Sequence, residues 1–260
     1  MVSHGYDLWR VAPVGLAGAF ALAMVLLGAA DVRAESPVQG NVEVQGGPYY
    51  PNIDAEFSGD TKPFRENFGG KDSPLLDVTA EYYLWTRHGK LGVGGGFGYV
   101  KFKGTNTIED KQSSSGSSSD SSGDELKIKE KQNFAIFPFR VLVSYRWDYL
   151  DEQFGVPLAP KIEAGLDYAV WRVKDDSGSI PTVDGAKARN GVFGWHASAM
   201  LEFNLDIVAP QTASRFDVGW GVNDTYLFGG YAIRRLNDFG TGSGFDLSNR
   251  SWKVGLAFEF

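Results

Sequence analysis

The chain has 260 residues, no cysteine, and a formal net charge of −7 from 25 lysines and arginines against 32 aspartates and glutamates. The lack of cysteine excludes disulfides, thiolate metal sites and cysteine nucleophiles. The negative charge argues against nucleic acid as a partner, because binding to phosphate backbones needs an excess of basic residues.

The N-terminal residues follow the order of a secretory signal peptide. Met1–Arg10 is polar with one arginine, Val11–Ala30 is apolar and uncharged, and Val32 and Ala34 offer small residues at a cleavage site before Glu35. This order predicts a cleaved signal peptide over residues 1–34 and an exported domain over residues 35–260. The alternative is an uncleaved N-terminal anchor, because the apolar run is longer than in most signal peptides.

Beyond the signal lie eight candidate strands, and all but the seventh alternate apolar and polar residues with a period of two, as β-strands with one apolar face do. Each has close to the ~9 to 11 residues that a tilted transmembrane strand needs, or slightly more. The predicted strands are Val38–Gly46, Leu76–Arg87, Leu91–Phe102, Phe134–Trp147, Lys161–Val173, Gly191–Asp206, Val222–Arg235 and Trp252–Phe260. The seventh is apolar on both faces, so its orientation stays open.

Seven of the eight segments have a second face that is polar and carries charges. Charged faces would be costly in the dry core of a soluble β-sandwich, whereas inside a barrel they can pair with one another. Beyond the signal, no stretch is long and apolar enough for a membrane-spanning helix. We therefore predict an all-β fold, a transmembrane antiparallel up-and-down β-barrel of eight strands. Ten strands are the alternative count, and a soluble sandwich is the alternative fold.

The connections alternate in length, as expected when external loops are long and periplasmic links are short. The predicted external loops are Gly47–Pro74, Gly104–Asn133, Lys174–Asn190 and Leu236–Arg250. The predicted periplasmic links are His88–Lys90, Asp148–Pro160 and Ile207–Gly221. The last link is long enough for a helical turn at Pro210–Phe216 or for a further strand pair.

The second external loop, at about residues 104–133, contains a serine-rich run from Ser113 to Glu125. This run has no apolar residue with which to build a core, so we expect a disordered, solvated loop. Adhesion, or weak cation binding by Asp120, Asp124 and Glu125, is the alternative role for the loop.

Outward aromatic residues fall into two belts, as they do at the two interfaces of a membrane. The belt near the periplasmic end consists of Tyr82, Tyr145, Trp147, Phe203 and Phe260. The belt near the external end consists of Tyr99, Tyr168, Phe193, Trp195 and Trp252. Two separate belts favour a membrane wall over ordinary strand packing.

The closing segment Trp252–Phe260 alternates without a break and ends on an aromatic residue. With these features the chain resembles the small outer-membrane β-barrel proteins of the OmpA and OmpW kind over residues 35–260. The resemblance implies a place in the outer membrane of a Gram-negative bacterium, with outer-membrane lipid, lipopolysaccharide and the barrel-assembly machinery as partners. It also implies that Trp252, Phe258 and Phe260 belong to the barrel-assembly signal.

Four short motifs are similar to a family of barrel proteins found in myxobacteria, whose members mostly have no assigned role. These motifs are Gly47–Asp54, Pro63-Phe64, Phe68-Gly69 and Thr225–Phe228. The resemblance implies fold and location, and it implies no catalytic residues.

The inward faces predict a charged network that plugs the lumen, because an eight-stranded barrel is only wide enough for side chains to fill. The predicted lumen network consists of Glu81, Arg140, Arg146, Asp167, His196 and Glu202, and the other charged side chains predicted to point inward are Asp77, Lys161, Glu163, Lys253 and Glu259. If Arg146 lies opposite Lys161 on the next strand, Arg140 falls opposite Asp167. The same register places Asp167 beside His196.

Alternate glycines on the third strand would leave room for large inward side chains. Across the tight His88–Lys90 turn, Gly92 and Gly96 would face Trp85 and Glu81.

His196 and Ser198, with Glu202 nearby on the same face, have the composition of a hydrolytic triad. The pair is similar to the His-x-Ser pairing of outer-membrane lipid A deacylases, but it would point into the lumen. We therefore expect no enzyme, no cofactor and no metal site, and a structural or surface-interaction role. A narrow pore or transporter for small solutes is the alternative, and a lipid A-modifying hydrolase comes third.

Overall fold

The computed structural model describes residues 38–57, 59–109, 127–183, 186–208, 221–241 and 245–260. In this part of the chain, eight antiparallel strands form a closed barrel. The strands are β1 (Gly40–Tyr49), β2 (Ser73–Trp85), β3 (Lys90–Glu109), β4 (Lys127–Arg146), β5 (Leu158–Lys174), β6 (Arg189–Asn204), β7 (Asp224–Leu236) and β8 (Asn249–Glu259). The predicted all-β barrel of eight strands is therefore confirmed.

Three predictions fall outside the described residues and stay predictions. They are the signal peptide over residues 1–34, the serine-rich run from Ser113 to Glu125, and the helical turn at Pro210–Phe216.

The barrel closes because β1 pairs with both β2 and β8. Val42 lies opposite Ala80 on one side and Phe258 on the other. Beyond the end of β8, the amide of Phe260 donates a hydrogen bond to the carbonyl oxygen of Gly40 at 2.9 Å. Since each strand is paired on both sides, the closed sheet has no free edge along which another chain could pair.

The alternation of side chains gives the barrel an apolar exterior and a polar interior. Val141 and Leu166 on the outer wall are 61% and 56% exposed, whereas Glu43 and Glu202 inside are fully buried. This distribution is the reverse of that in a water-soluble protein, where long carboxylates are rarely buried.

The two ends of the barrel differ in their connections. The loop end, as we call it, carries the links at residues 50–72, 110–126, 175–188 and 237–248. The terminal end, where β1 begins and β8 ends, carries the links at residues 86–89, 147–157 and 205–223.

Short elements lie within these links. At the loop end they are a 3₁₀-helix (Ile53–Glu56), α1 (Pro63–Phe68), a hairpin of Thr182–Val183 with Ala186–Lys187, and a second 3₁₀-helix (Asp238–Gly240). At the terminal end α2 (Tyr149–Phe154) follows β4. Among the described residues, no helix has the length and apolar character required to cross a membrane.

The strands β3 and β4 extend further than the sequence indicated. Their pairing continues from Gly104 opposite Gln132 to Glu109 opposite Lys127. The predicted loop at about 104–133 is therefore wrong in its bounds. The cause is the β-branched threonines and isoleucines of these ends, which favour extended backbone even where a strand has left the apolar band.

The predicted register of the glycine stripe is also wrong. Gly92 and Gly96 do not face Trp85 and Glu81; instead Gly94 lies opposite Glu81. An irregularity in the pairing just before Trp85 shifts the register, and Trp85 lies on the exposed side of the wall. The glycines still make room for large side chains, because a Cβ atom on Gly94 would lie 2.8 Å from Cγ of Glu81.

Candidate functional site in the barrel interior

The barrel interior contains two layers of different chemistry. The ion-pair layer extends from the terminal end past the middle and consists of Glu43, Asp77, Glu81, Lys90, Arg140, Arg146, Asp148, Lys161, Glu163, Asp167, His196, Glu202, Arg234, Lys253 and Glu259. The apolar cap fills the loop end and consists of Tyr49, Ile53, Phe64, Leu75, Val100, Phe102, Phe134, Ile136, Ala169, Trp171, Val192, Leu236 and Leu247.

Arg146 organises the terminal end of the ion-pair layer. Its guanidinium lies 2.7 Å from carboxylate oxygens of both Asp148 and Glu259, and 3.4 Å from Glu202. The guanidinium carbon is 4.6 Å from the ring centroid of Tyr226, which adds a cation–π contact. Lys90 supplies a second cation, which contacts Glu259 and lies 3.3 Å from Asp148. The two cations thus share two carboxylates.

Lys161 of β5 lies buried among four glutamates. Its ammonium contacts Glu43, lies 2.7 Å from Glu81 and 3.6 Å from Glu163, and approaches Glu202 at 4.0 Å. The carboxylate oxygens of Glu43, Glu81 and Glu163 lie within 4.8 Å of one another, a grouping that could hold a metal ion. Here the positive charge comes from the lysine itself, which contacts all three.

Two smaller groups complete this part of the layer. The Lys253 ammonium lies 2.9 Å from Glu163, and Ser198 Oγ donates a hydrogen bond to the same carboxylate at 2.7 Å. Ser144 Oγ donates to Glu81 at 2.5 Å. The Ser144 hydroxyl therefore satisfies the Glu81 oxygen that Lys161 does not contact, whereas Ser198 and Lys253 share one oxygen of Glu163.

Closer to the loop end, a single aspartate lies between two arginines. Asp77 has one carboxylate oxygen 2.7 Å from Arg140 and the other 2.6 Å from Arg234. Beside this group, Nδ1 of His196 lies 2.6 Å from Asp167. These contacts join β2, β4 and β7 across the lumen and β5 to β6 along the wall.

The structure places all six predicted network residues inside the barrel, distributed over these clusters. Arg146 and Glu202 lie together, and Asp167 lies beside His196 as the register predicted. Arg140 is opposite Asp167 in the strand pairing, as predicted. Its guanidinium, however, contacts Asp77, which lies two strands away and reaches it over the glycines of β3.

Four members of the layer were missed in the sequence, namely Glu43, Lys90, Asp148 and Arg234. Arg234 lies on the segment that is apolar on both faces, and its inward orientation follows from the inward position of Tyr226 eight residues earlier. Glu43 alternates with Asn41 and Gln45, a signal that was present in the first segment. Lys90 and Asp148 flank turns, where period-two alternation gives no information.

Burial makes these ion pairs interdependent. Removing a charged group from water costs several kcal/mol, and the attraction of its partner offsets this cost only when the remaining polar atoms are also satisfied. Arg146 and Lys161 are each 1% exposed. The layer is therefore stable as a complete set, and the loss of one member leaves an unpaired charge in the interior.

The apolar cap was not predicted, because part of it comes from a loop. Phe64 of α1 enters the mouth of the barrel and packs edge-to-face on Phe102 and Phe134, with ring centroids 5.1 and 5.7 Å away. The Tyr49 hydroxyl donates to the carbonyl oxygen of Leu247 at 2.5 Å. The loop at residues 50–72 thus folds into the barrel rather than extending away from it.

Asp54 fixes the position of this loop. Its carboxylate accepts hydrogen bonds from the backbone amides of Phe64 at 2.7 Å and Arg65 at 3.1 Å, at the start of α1. The hydroxyl of Tyr50 donates to the same carboxylate at 3.4 Å. The motifs that resemble the myxobacterial family, Gly47–Asp54 and Pro63-Phe64, therefore include the residues that build the cap and anchor it.

The three residues of the hydrolytic hypothesis are each engaged elsewhere. Nδ1 of His196 contacts Asp167, Ser198 Oγ donates to Glu163, and Glu202 contacts Arg146. All three are buried inside the wall. A hydrolase would need the hydroxyl to be directed at the histidine and open to substrate.

The residues of the predicted assembly signal lie on the outer face of β8 and at the chain end beside it. Trp252 and Phe260 are exposed, and Phe258 is half-buried. Their recognition by the assembly machinery stays a prediction.

No protein family and no curated protein matches the sequence. Among solved structures, the chain is similar to Neisserial surface protein A, with 10% identity, a TM-score of 0.41, and coverage of 87% of this chain and 98% of that chain. It is also similar to Ail, the attachment invasion locus protein of Yersinia pestis, with 11% identity, a TM-score of 0.38, and coverage of 85% and 99%.

A third similar structure is that of the outer membrane enzyme PagL, with 12% identity, a TM-score of 0.34, and coverage of 85% of this chain and 98% of that chain. At such identities and scores, the function of this chain has to be argued from its own residues. The resemblance to the myxobacterial family stays a prediction.

Proposed function

We propose that this protein spans the outer membrane of a Gram-negative bacterium as a barrel with a closed interior and has a non-enzymatic structural or surface-interaction role. The observation that carries the proposal is the filled lumen, in which the ion-pair layer and the apolar cap lie one above the other. In this proposal the loop end faces outward and the terminal end faces the periplasm.

The membrane location is supported by the outer wall. Val141, Leu166 and their neighbours expose apolar side chains around the barrel. Each square ångström of apolar surface in water costs about 25 cal/mol, so a wall of this kind is stable only when lipid covers it. The charged side chains need polar partners, and these partners lie inside the barrel.

The closed interior is supported by both layers. An ion crossing the lumen would have to separate Arg146 from Glu259 and Asp148, and then pass the aromatic rings of Phe64, Phe102 and Phe134. A filled interior leaves the loops and the outer wall as the surfaces on which the protein can act.

The first test uses protein extracted from outer membranes. On a detergent gel we expect a compact band that shifts only after boiling, and in planar lipid bilayers we expect no steady conductance. Recovery in the soluble periplasmic fraction without a heat shift would overturn the location. A heat shift together with steady single-channel currents would keep the location and replace the closed barrel by a narrow pore.

Lipid hydrolysis is tested on the same preparation. We expect intact lipid A to remain unchanged during incubation with the parent. Deacylation by the parent that is lost in His196→Ala would contradict the non-enzymatic role.

A further inference from the structure

Basic residues occupy the outer wall at the loop end. One on each of six adjacent strands defines the basic belt, as we call it: Lys101, Lys131, Arg172, Arg189, Arg235 and Arg250. At the terminal end, the outward strand positions among the described residues carry no lysine or arginine. The two ends of the wall therefore differ in charge.

The basic belt begins where the apolar wall ends. On β3, Lys101 follows the outward Tyr99 by two residues, and on β8 Arg250 precedes the outward Trp252 by two. Aromatic residues mark the interface between hydrocarbon and headgroups. The strands β3 and β4 have 20 residues each, more than the ~9 to 11 that cross the hydrocarbon. The belt thus lies at headgroup level.

Three belt residues stand in one row across the sheet. Lys101 and Arg172 both lie opposite Ala135 of β4, one on each side, and Arg172 lies directly opposite Arg189. Like charges in direct cross-strand pairs are destabilising. Nε of Arg172 is buried without a hydrogen-bond partner. The row therefore favours an anion that lies against it.

Carboxylates of the described residues do not supply that anion. No belt residue forms an ion pair within the described part of the chain. Asp175 accepts a hydrogen bond from the amide of Ser179 at 2.9 Å, and Asp246 accepts one from the amide of Ser248 at 2.9 Å. These loop carboxylates are thus held by neutral donors.

A groove lies between two further belt residues. It has a volume of about 330 Å³ and is lined by Arg235, Arg250, Tyr50 and Asn249, among others. Guanidinium groups bind phosphate through paired hydrogen bonds, which lysine cannot form. The groove therefore presents the donors that a phosphate group needs.

We propose that the basic belt binds the phosphate groups of lipid headgroups in the leaflet that surrounds the loop end. The inference rests on the proposed function, because it requires the apolar wall to lie in a membrane. A lipid fits better than a soluble anion, since the belt continues directly into the apolar wall. A lipid whose phosphate is bound by Lys101 or Arg250 would place its acyl chains beside Tyr99 or Trp252.

The test measures lipid selectivity by tryptophan quenching. The full protein from outer membranes is reconstituted in phosphatidylcholine vesicles that contain phosphatidic acid with brominated acyl chains, or brominated phosphatidylcholine in a matched set. Bromine quenches outward tryptophans such as Trp252. We expect the parent to prefer phosphatidic acid, and we expect this preference to fall about fivefold or more in the double variant Arg172→Gln, Arg189→Gln.

Two further variants serve as controls. Arg87→Gln removes an exposed charge at the terminal end and should keep the parent's selectivity. The double variant Arg172→Lys, Arg189→Lys keeps the charge but not the paired hydrogen bonds, so its selectivity should lie between those of the parent and the double glutamine variant. The heat shift on a detergent gel verifies that each variant is folded.

The outcomes separate the inference from the proposed function. The parent and the double glutamine variant could show equal selectivity while brominated phosphatidylcholine still quenches both. That result would overturn the proposal that the basic belt binds lipid phosphates, and it would leave the membrane barrel intact. If excess inorganic phosphate at matched ionic strength abolished the selectivity, the belt would bind soluble anions. This result would also overturn the proposal that it binds lipid phosphates. A parent that no brominated lipid quenches would overturn the proposed function itself.

Discussion

Arg234 of β7 donates a hydrogen bond to Asp77 of β2 across the lumen, with Nη2 2.6 Å from Oδ2. The two strands are not neighbours, because β1 and β8 lie between them. Arg140 of β4 lies 2.7 Å from the other oxygen of the same carboxylate. One aspartate thus links three strands through the interior, which pairing between adjacent strands cannot do.

Replacement of Asp77 by asparagine tests this link. Asp77→Asn keeps the size of the side chain but removes the negative charge that both Arg140 and Arg234 contact. We expect the free energy of unfolding to fall by about 3 to 5 kcal/mol, as when one partner of a buried ion pair is removed. Urea unfolding in lipid vesicles, followed by tryptophan fluorescence, measures the change.

The matched control is Arg87→Gln, which removes an exposed charge at the terminal end, outside the basic belt. We expect it to change the free energy of unfolding by less than about 0.5 kcal/mol. If Asp77→Asn had an effect as small as this control, the two arginines would have to be stabilised by something other than Asp77.

The apolar cap makes a separate prediction about stability. Phe64→Ala leaves a cavity beside Phe102 and Phe134, so we expect a loss of about 3 kcal/mol in the free energy of unfolding. The control Phe239→Ala shortens an exposed side chain at the same end and should have little effect. Equal effects of the two substitutions would show that Phe64 contributes no packing.

The two layers also predict how the lumen opens. The single variant Phe64→Ala should stay closed in planar bilayers, because the ion-pair layer is unchanged. Removal of the Arg146 guanidinium in addition, as in Phe64→Ala with Arg146→Ala, should give measurable single-channel currents. Steady currents in Phe64→Ala alone would mean that the ion pairs do not block ions.

The closure of the barrel can be tested by cysteine pairs, since the natural chain has no cysteine to interfere. Val44 of β1 lies opposite Leu256 of β8 on the outer face. The double variant Val44→Cys, Leu256→Cys should form a disulfide on oxidation, visible as a mobility change that a reducing agent reverses. Val44→Cys with Leu227→Cys places the cysteines on strands that are not neighbours and should form none. Cross-linking of the second pair but not the first would contradict the register.

The strands and their faces could be predicted from sequence because period-two alternation is a local property. The seventh segment shows the limit of this signal, since Leu227 and Tyr226 are both apolar although one lies outside and the other inside. Neighbour relations along the wall, such as Asp167 beside His196, followed from register. The contact of Arg234 with Asp77 did not, because it depends on the width and shear of the closed barrel.

The apolar cap escaped prediction for a different reason. A loop between strands was expected to be solvated, yet the segment at residues 50–72 contains Tyr50, Phe57, Phe64 and Phe68. Three of these aromatic residues pack in or against the cap. Four aromatic residues in one otherwise polar loop are the signal that could have indicated a buried loop. No local rule, however, shows where such a loop packs.

Two aspartates outside the strands predict pH effects of opposite sign. Burial, with a smaller contribution from the charge of Asp224, raises the pKa of Asp206 above its ordinary value of 3.8. The folded protein therefore holds this proton to higher pH than the unfolded chain, and the stability from Asp206 falls as pH rises through the folded pKa. Asp206→Asn removes the charge and should raise the free energy of unfolding at pH 7 by less than about 1 kcal/mol, because solvent screens this half-buried group.

Asp175 should behave in the opposite way. A hydrogen bond from the Ser177 hydroxyl lowers the pKa of Asp175 below its ordinary value, so its stabilising effect is present above that value and is lost as pH falls. We expect Asp175→Asn to be less stable than the parent at pH 7. The two should be equally stable at a pH low enough for Asp175 to be protonated in both the folded and the unfolded parent. Urea unfolding of the parent and both variants at pH 3 and pH 7 measures the two differences. Changes of the same sign at pH 7 would contradict the assignment, because the hydrogen bond to Asp175 and the burial of Asp206 act on ionisation in opposite directions.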